Sequence, residues 1–569
     1  AYNLLFSGGL EIHTTQDPDI QSVVDTEISN PENYDVVYYS IDYRLSIQHA
    51  DQTTTNYSDE TLKTYFRKDL GESNFDGLFT SKEKADEAIE KYRTAMTKEG
   101  DTILGESVHY VLQPQASFVL IDQSNGYVKA LSGGRGQKEV SRSLNRATNT
   151  LRQPGSTFKV ITSFAPAIDT CGATLGSVYY DAPYTMGTKT FRNWYSSKGY
   201  MGYSTIRDGI VYSMNIVAVR CMIETVTPQL GVEYARNLGI TSLTDSDYNA
   251  STALGGITKG VSNLELTDAF AAIANGGIYT KPVFFTQILD HNGKVLLENE
   301  PETKRVLKDS TAFLLTDAMA QSMESSRMFA SSGVSLNSTS AVANIPGMSN
   351  AGKSGTTTSN NDIWFVGFTP YYTAGIWSGC DDNQKISAIG SSTSYHKKIW
   401  KKIMTTIHEG LADTGFPVPS SVTTAQICRK SGKLAIPGVC DHDPRGSAVY
   451  TEYFAKGTVP TEVCDHHVQL TVCSESGGLA TEYCPEKTTR TFMVIPEGES
   501  GGTDDSKYRS PGTCTIHGSS SVVVPSDETS DENSSSQAET TQETVPETTK
   551  AAPKSPLDQV YIPIGPGYE

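Results

Sequence analysis

The chain has 569 residues and a formal net charge of −19, with 20% charged and 37% hydrophobic residues. At roughly 100–200 residues per domain that is about three domains, and the acidic balance excludes an extended basic face for nucleic-acid phosphates. The longest apolar stretch, residues 209–226, is interrupted by Ser213, Asn215, Arg220 and Glu224, so no transmembrane helix is expected.

The opening AYNLLFSGGLEIHTTQDPDIQ has neither Met nor a basic-then-apolar run. No signal peptide is expected, and the chain reads as a piece of a longer one. Residues 10–15 alternate like a strand, and Asp17-Pro18 opens a helix over residues 20–29. Residues 30–108 then read as a small α+β spacer. Strand-like YDVVYYSIDYRLSIQHA precedes helical YSDETLKTYFRKDL, and a second helix runs from Ser81 to a stop at Gly100.

Residues 115–132 predict a hairpin, QASFVLID and YVKALSG alternating around Ser124-Asn125-Gly126. A Pro-Gly pair then leads into a helix near Ser156, and helices separated by Gly- and Pro-rich loops continue to Asn275. From Ala351 the pattern becomes strand, turn, strand (GKSGTTT, DIWFVGFTP, YYTAGIWSG), closed by the helix HKKIWKKIMTTIHEG. Strands at both ends with helices between them predict one sheet built from both ends of an α/β (α+β) domain.

After Pro417 the sequence repeats itself. ICRKSGKLAIPGVC (Cys428, Cys440) recurs as VCSESGGLATEYC (Cys473, Cys484), and Cys464 to His467 recurs as Cys514 to His517. From Gly518 nine acids face two lysines, and 14 of the 33 residues 518–550 are Ser or Thr with no aromatic residue. That composition buries too little apolar surface to order a chain, so the tail is expected to be disordered. The expected divisions are 1–107 (linker strand and spacer), 108–416 (the main domain), 417–517 (duplicated Cys-rich module) and 518–569 (acidic tail).

Three short elements carry chemistry. In Ser156-Thr157-Phe158-Lys159, Pro154 and Gly155 put Ser156 near a helix start, and Ser and Lys at i and i+3 share one face. A serine hydroxyl needs a base before it is a nucleophile, and a desolvated lysine near other cations is neutral enough to be one. The helix start offers N–H groups to an oxyanion. In Ser213-Met214-Asn215 a serine can relay a proton and an asparagine can hold an amide, although a plain helix cap has the same letters. In Lys353-Ser354-Gly355-Thr356-Thr357 the lysine can bind a carboxylate or tune Ser213. Gly355 admits a substrate backbone, and the Thr356 N–H can complete an oxyanion hole.

In this order, the three elements correspond to the Ser-x-x-Lys, Ser-Asp-Asn and Lys-Thr-Gly set, here with Ser-Met-Asn and Lys-Ser-Gly as variants. The chain resembles the transpeptidase half of a class A (bifunctional) penicillin-binding protein of clostridia-like Gram-positive bacteria. RQPGSTFKV, VYSMNIVAV, VSNLELTDAFAAIANGG, AGKSGTTTSNNDIWFVGFTPYYTAGIWSG and GGLEIHTTQDPDIQ all share the likeness, over residues 8–29 and 108–410 and more loosely the Cys-rich module. The resemblance implies a penicillin-binding-protein/β-lactamase-like fold, a central antiparallel sheet flanked by helices.

It also implies that Ser156 attacks a D-Ala-D-Ala carbonyl and Lys159 takes its proton. Ser213 with Lys353 returns a proton to the departing D-alanine, and Asn215 holds the donor amide. Ser354, Gly355 and Thr356 form the carboxylate-binding strand, with the N–H groups of Ser156 and Thr356 as the oxyanion hole. Implied partners are peptidoglycan stem peptides, β-lactams and the cell-wall synthesis machinery. An upstream membrane anchor and glycosyltransferase domain on the extracytoplasmic face, and no cofactor, follow from the same resemblance. The Glu-x-x-Leu-Asn signature of a class A β-lactamase is absent between Ser213 and Lys353. A β-lactam or muropeptide sensor, or a non-catalytic wall-assembly module, is the alternative reading. An extracytoplasmic setting permits disulfides; the simplest scheme pairs Cys428 with Cys440, Cys473 with Cys484 and Cys464 with Cys514. Zinc is the rival, since each unit offers three cysteines and a histidine. The expectation adopted is disulfides and no metal.

Overall fold

A computed structural model describes residues 2–138, 143–328, 336–498 and 502–518. The acidic tail expected to be disordered lies outside the described residues.

The main sheet has five antiparallel strands. Their order is Ala351–Thr356, Asp362–Phe368, Thr373–Gly379, Gln115–Asp122 and Tyr127–Ser132. The two ends of the domain therefore meet in one sheet, with Gly375 opposite Val119. After Asp362 the run IWFVGF carries no polar side chain, because the strand is buried on both faces. Trp364, Val366 and Phe368 face one core with Phe158, Val217 and Phe270. Ile363 and Phe365 face the other with Val24, Ile28 and Trp400. The helix Asn263–Ala274 lies on the first face, where the Asn263 amide donates to the carbonyls of Ser117 (3.0 Å) and Gly375 (3.2 Å). The helices Pro18–Ser29 and Tyr395–Ile407 cover the other face.

The leading segment is no linker. Its strand Glu11–Thr14 pairs with Phe285–Leu289. Asp17 caps the helix that follows, accepting from the N–H groups of Asp19 and Ile20. The spacer is a three-stranded sheet, Thr54–Ser58, Tyr38–Gln48 and Thr102–Gln113, with the helix Lys82–Met96 packed on it. The division at 107/108 cuts through the strand Thr102–Gln113, which pairs residue by residue with Tyr38–Gln48; the spacer continues to Gln113. Its helix ends at Met96, short of Gly100. The Asp101 carboxylate accepts the Lys98 N–H (2.9 Å), which turns the chain early.

The Cys-rich region is two hairpins, Val422–Cys428 with Val449–Ala455, and His467–Cys473 with Lys487–Met493. None of the nine cysteines is in a disulfide. The three-bridge scheme is therefore corrected: Cys464 gathers with Cys428, Cys440 and His467, whereas Cys514 gathers with Cys473, Cys484 and His517. A histidine completes each group, the same three cysteines and one histidine per unit that the rival zinc reading names.

The first hairpin docks on the short helix Ile206–Val211. Glu452 receives Nε and Nη2 of buried Arg207 (2.7 and 2.5 Å), and Arg429 reaches Asp208 (2.9 Å). Among the described residues, no helix is long and apolar enough to cross a membrane.

Candidate active site

Ser156 lies in a tight turn, Gly155–Thr157, that runs directly into the helical segment Lys159–Phe164. The loop before it is stitched on both sides. The Trp364 indole donates to the Gln153 carbonyl (2.8 Å), and the backbones of Arg152 and Val261 exchange hydrogen bonds. Gly155 has φ of +55°, and a Cβ there would meet the backbone of Thr356 at 2.8–3.0 Å. Only glycine permits that approach, and it packs the turn that bears Ser156 against the backbone of Thr356.

Lys159 is wholly buried, and its neighbours are hydrogen-bond acceptors rather than acids. Its Nζ reaches the Ser213 carbonyl (2.6 Å), the Ser213 hydroxyl (3.2 Å) and the Asn215 Oδ1 (2.6 Å). Burial, with the Lys353 charge adding to it, holds its pKa well below the ordinary lysine value. Lys353 extends from the sheet-edge strand Ala351–Thr356 to the same hydroxyl (2.9 Å) and also donates to the Ser354 carbonyl (3.0 Å). Burial, then the Lys397 charge, pushes Lys353 down to about 7. One serine hydroxyl thus joins two buried amines.

The middle element is the break in the apolar stretch. The helix Ile206–Val211 stops, Ser213 turns the chain at φ +53°, and Asn215–Arg220 resumes. Ser213 is not the cap of that second helix. The cap comes from Asn193, whose Oδ1 accepts the N–H groups of Asn215 (2.8 Å) and Ile216 (3.1 Å). Asn193 is held in turn by buried Asp181 (2.5 Å). Beside it Trp194 donates to the Tyr212 carbonyl (3.0 Å) and remains 54% exposed. Sequence reasoning missed Asn193 and Trp194; the adjacent polar and aromatic pair in FRNWYSS was the available signal, without a local motif to mark it.

Ser354 is half-buried and Thr356 exposed, on the strand whose outer edge borders Gly155. At Gly355 a Cβ would point at the Pro154 carbonyl (2.5 Å) and Thr157 (2.9 Å), so packing of the strand on the loop that bears Ser156 by itself requires glycine there. Lys159, Ser213, Asn215 and Lys353 are thus joined by hydrogen bonds, while Ser156, Ser354, Gly355 and Thr356 adjoin them.

Lys353 leaves a thermodynamic signature. Its folded pKa of about 7 lies below the unfolded value near about 10.4. Between those pH values the unfolded chain binds a proton that the folded chain lacks, so stability rises with pH, by up to about 1.4 kcal/mol per unit. Lys353→Met removes this dependence. The variant is expected to be the more stable of the two near neutrality, by a margin that shrinks toward pH 10. Urea midpoints of both proteins across that range check it, and a pH-independent difference contradicts it.

The same pieces recur in known proteins. Residues 116–405 match the penicillin binding protein transpeptidase domain, and residues 418–469 match the C-terminal domain of penicillin-binding protein 1A. Penicillin-binding protein 1A of Clostridium botulinum is 34% identical over 409 residues, covering 69% of this chain and 47% of that protein. Penicillin-binding protein 1A/1B of Bacillus subtilis is 30% identical over 400 residues, covering 66% and 41%. The chain therefore spans about half the length of the curated relatives it matches. The crystal structure of penicillin-binding protein 1A from Haemophilus influenzae superposes with a TM-score of 0.57 at 20% identity, covering 80% of this chain and 74% of that one. The PonA1 protein from Mycobacterium tuberculosis, solved in complex with penicillin V, gives 0.52 at 20% identity, covering 74% and 91%. At such identities the structural likeness is one of fold. The domain model spans the main sheet and all three motif elements, and on that match the chain belongs to the penicillin-binding protein transpeptidase family.

Proposed function

We propose that this chain is a serine D,D-transpeptidase that cross-links peptidoglycan stem peptides and is acylated by β-lactams. The observation that carries the reading is the Ser213 hydroxyl held between two buried amines, one of them a helical turn beyond Ser156. Neutral Lys159 accepts the Ser156 proton as Oγ attacks the carbonyl between the two D-alanines. The tetrahedral oxyanion takes hydrogen bonds from the N–H groups of Ser156 and Thr356. Ser213 donates a proton to the departing D-alanine nitrogen and is resupplied by the amines on either side. Asn215 holds the donor amide, and Ser354 and Thr356 hold the terminal carboxylate. An amine of a second stem peptide then displaces Ser156 and forms the cross-link; water in its place gives carboxypeptidase trimming. Working on the extracytoplasmic side of the membrane follows from that substrate.

Incubation with fluorescent penicillin is expected to label the protein covalently, and Ser156→Ala to abolish labelling. Equal labelling of the variant rules out the assignment. Turnover of a D-Ala-D-Ala stem peptide separates the enzyme from a sensor, which would label without turnover.

A further inference from the structure

The duplicated Cys-rich region is built twice to one plan. In each unit a strand ends at a cysteine whose N–H bonds a carbonyl five residues on: Cys428 to Lys433 and Cys473 to Gly478, both at 2.8 Å. A later cysteine closes on the intervening leucine, Cys464 to Leu434 and Cys514 to Leu479, again at 2.8 Å. The remaining thiol accepts a backbone N–H: Cys440 from Ile436 and Cys484 from Thr481, each 3.3 Å. The outcome in each unit is three sulfurs and one histidine nitrogen within 4.8 Å of one another.

The histidine-to-sulfur spacings are close to those of a tetrahedral zinc site. Four ligands at ordinary zinc–sulfur and zinc–nitrogen lengths lie roughly 3.5–3.8 Å apart. His467 Nδ1 lies 3.3 Å from Cys428 Sγ and 3.5 Å from Cys464 Sγ. His517 Nδ1 lies 3.4 Å from Cys473 Sγ and 3.5 Å from Cys514 Sγ. The far side of each ring meets a carboxylate, His467 Nε2 to Asp443 at 2.8 Å and His517 Nε2 to Glu475 at 3.2 Å. That contact fixes the proton on Nε2 and aims the Nδ1 lone pair at the sulfurs, as in a carboxylate-oriented metal histidine. A disulfide would use two sulfurs and strand the third thiol and the imidazole. The apolar cluster in each unit is little more than its cysteines with a few small residues, Ala480 alone beside those of the second. Modules with so little core need a staple.

We propose that the two units are structural zinc sites: Cys428, Cys440, Cys464 and His467 hold one zinc(II), and Cys473, Cys484, Cys514 and His517 hold a second. Each site takes up one ion and releases three thiol protons, leaving a tetrahedral centre with no open position and therefore no catalytic role. Zinc suits a set of three thiolates and an imidazole with no redox demand. The first site also anchors the module. Asp443 is shared with Arg445 (2.8 and 2.7 Å), which reaches Asp505, and Asp505 accepts the Tyr203 N–H of the transpeptidase domain (2.7 Å).

The test is made on the whole chain, purified in air without chelator or reductant. Elemental analysis is expected to find two equivalents of zinc. Alkylation followed by intact mass is expected to find the six thiols blocked until a chelator is added and all six modified afterwards. Cys464→Ser and His517→Ala should each retain one equivalent, and the double variant none, while Ser156→Ala retains two. Cobalt(II) exchanged into the protein should give thiolate-to-cobalt charge-transfer absorption. A mass lower by two hydrogens for each bridge, thiols free without metal, or iron in place of zinc would each overturn the assignment. None of these readouts depends on penicillin labelling, so failure here is separate from failure of the transpeptidase reading.

Discussion

Lys159→Met is expected to slow β-lactam acylation by about three orders of magnitude while the protein stays folded, in the range removal of a general base costs. Methionine keeps the length of the side chain and fills the same buried space. What disappears is the amine that contacts Ser213 and Asn215 and whose pKa burial and the Lys353 charge lower. Thermal stability should hold or rise, because an amine costs more to bury than a thioether. Stopped-flow acylation of wild type and variant by one penicillin checks both halves. Acylation within tenfold of wild type would remove Lys159 as the base and leave Lys353, through Ser213, as the remaining candidate.

Glu452→Leu is expected to destabilise the protein by about 3–5 kcal/mol, the usual cost of removing one partner from a buried ion pair. Glu452 is fully buried, accepts two hydrogen bonds from Arg207, and is further held by the Tyr450 hydroxyl (3.2 Å) and the Tyr453 N–H (2.7 Å). Without it Arg207 keeps Asp317 (2.6 Å) and Gln321 (3.1 Å), with half of its guanidinium stranded. The helix Ile206–Val211 bears Arg207 and delivers Ser213, so acylation should slow as well. Urea denaturation measures the first effect. The double variant Arg207→Met/Glu452→Leu should recover most of the loss, since two apolar side chains leave no orphan charge. A double variant as unstable as the single one would place the effect in packing.

These two experiments probe features of different legibility. The motif triplets, the hairpin around Asn125-Gly126, the Asp17 cap and the two-ended sheet were readable because each rests on local chemistry or a short period. The helix from Ser81 was also readable, although its end was not: Asp101 turns the chain before Gly100 is reached. The packing demand on Gly355 comes from the Pro154 carbonyl, 201 residues earlier in a different element, a distance no local pattern spans. Asn193 caps a helix 22 residues away in sequence, so it carries no capping signature of its own.

The cysteines mark the same boundary most sharply. The duplication, the three cysteines and one histidine per unit, and the order of the three motif elements are legible in the amino-acid order, because these are facts of composition and spacing. Which thiols meet, the serine hydroxyl that joins two buried amines, and the Cys-rich hairpin locked on the helix leading to Ser213 emerge only in the folded chain. Those outcomes depend on long-range burial. Taking Lys159 and Lys353 out of water lowers their pKa values more than any neighbouring charge does, and burial is a property of the folded chain alone.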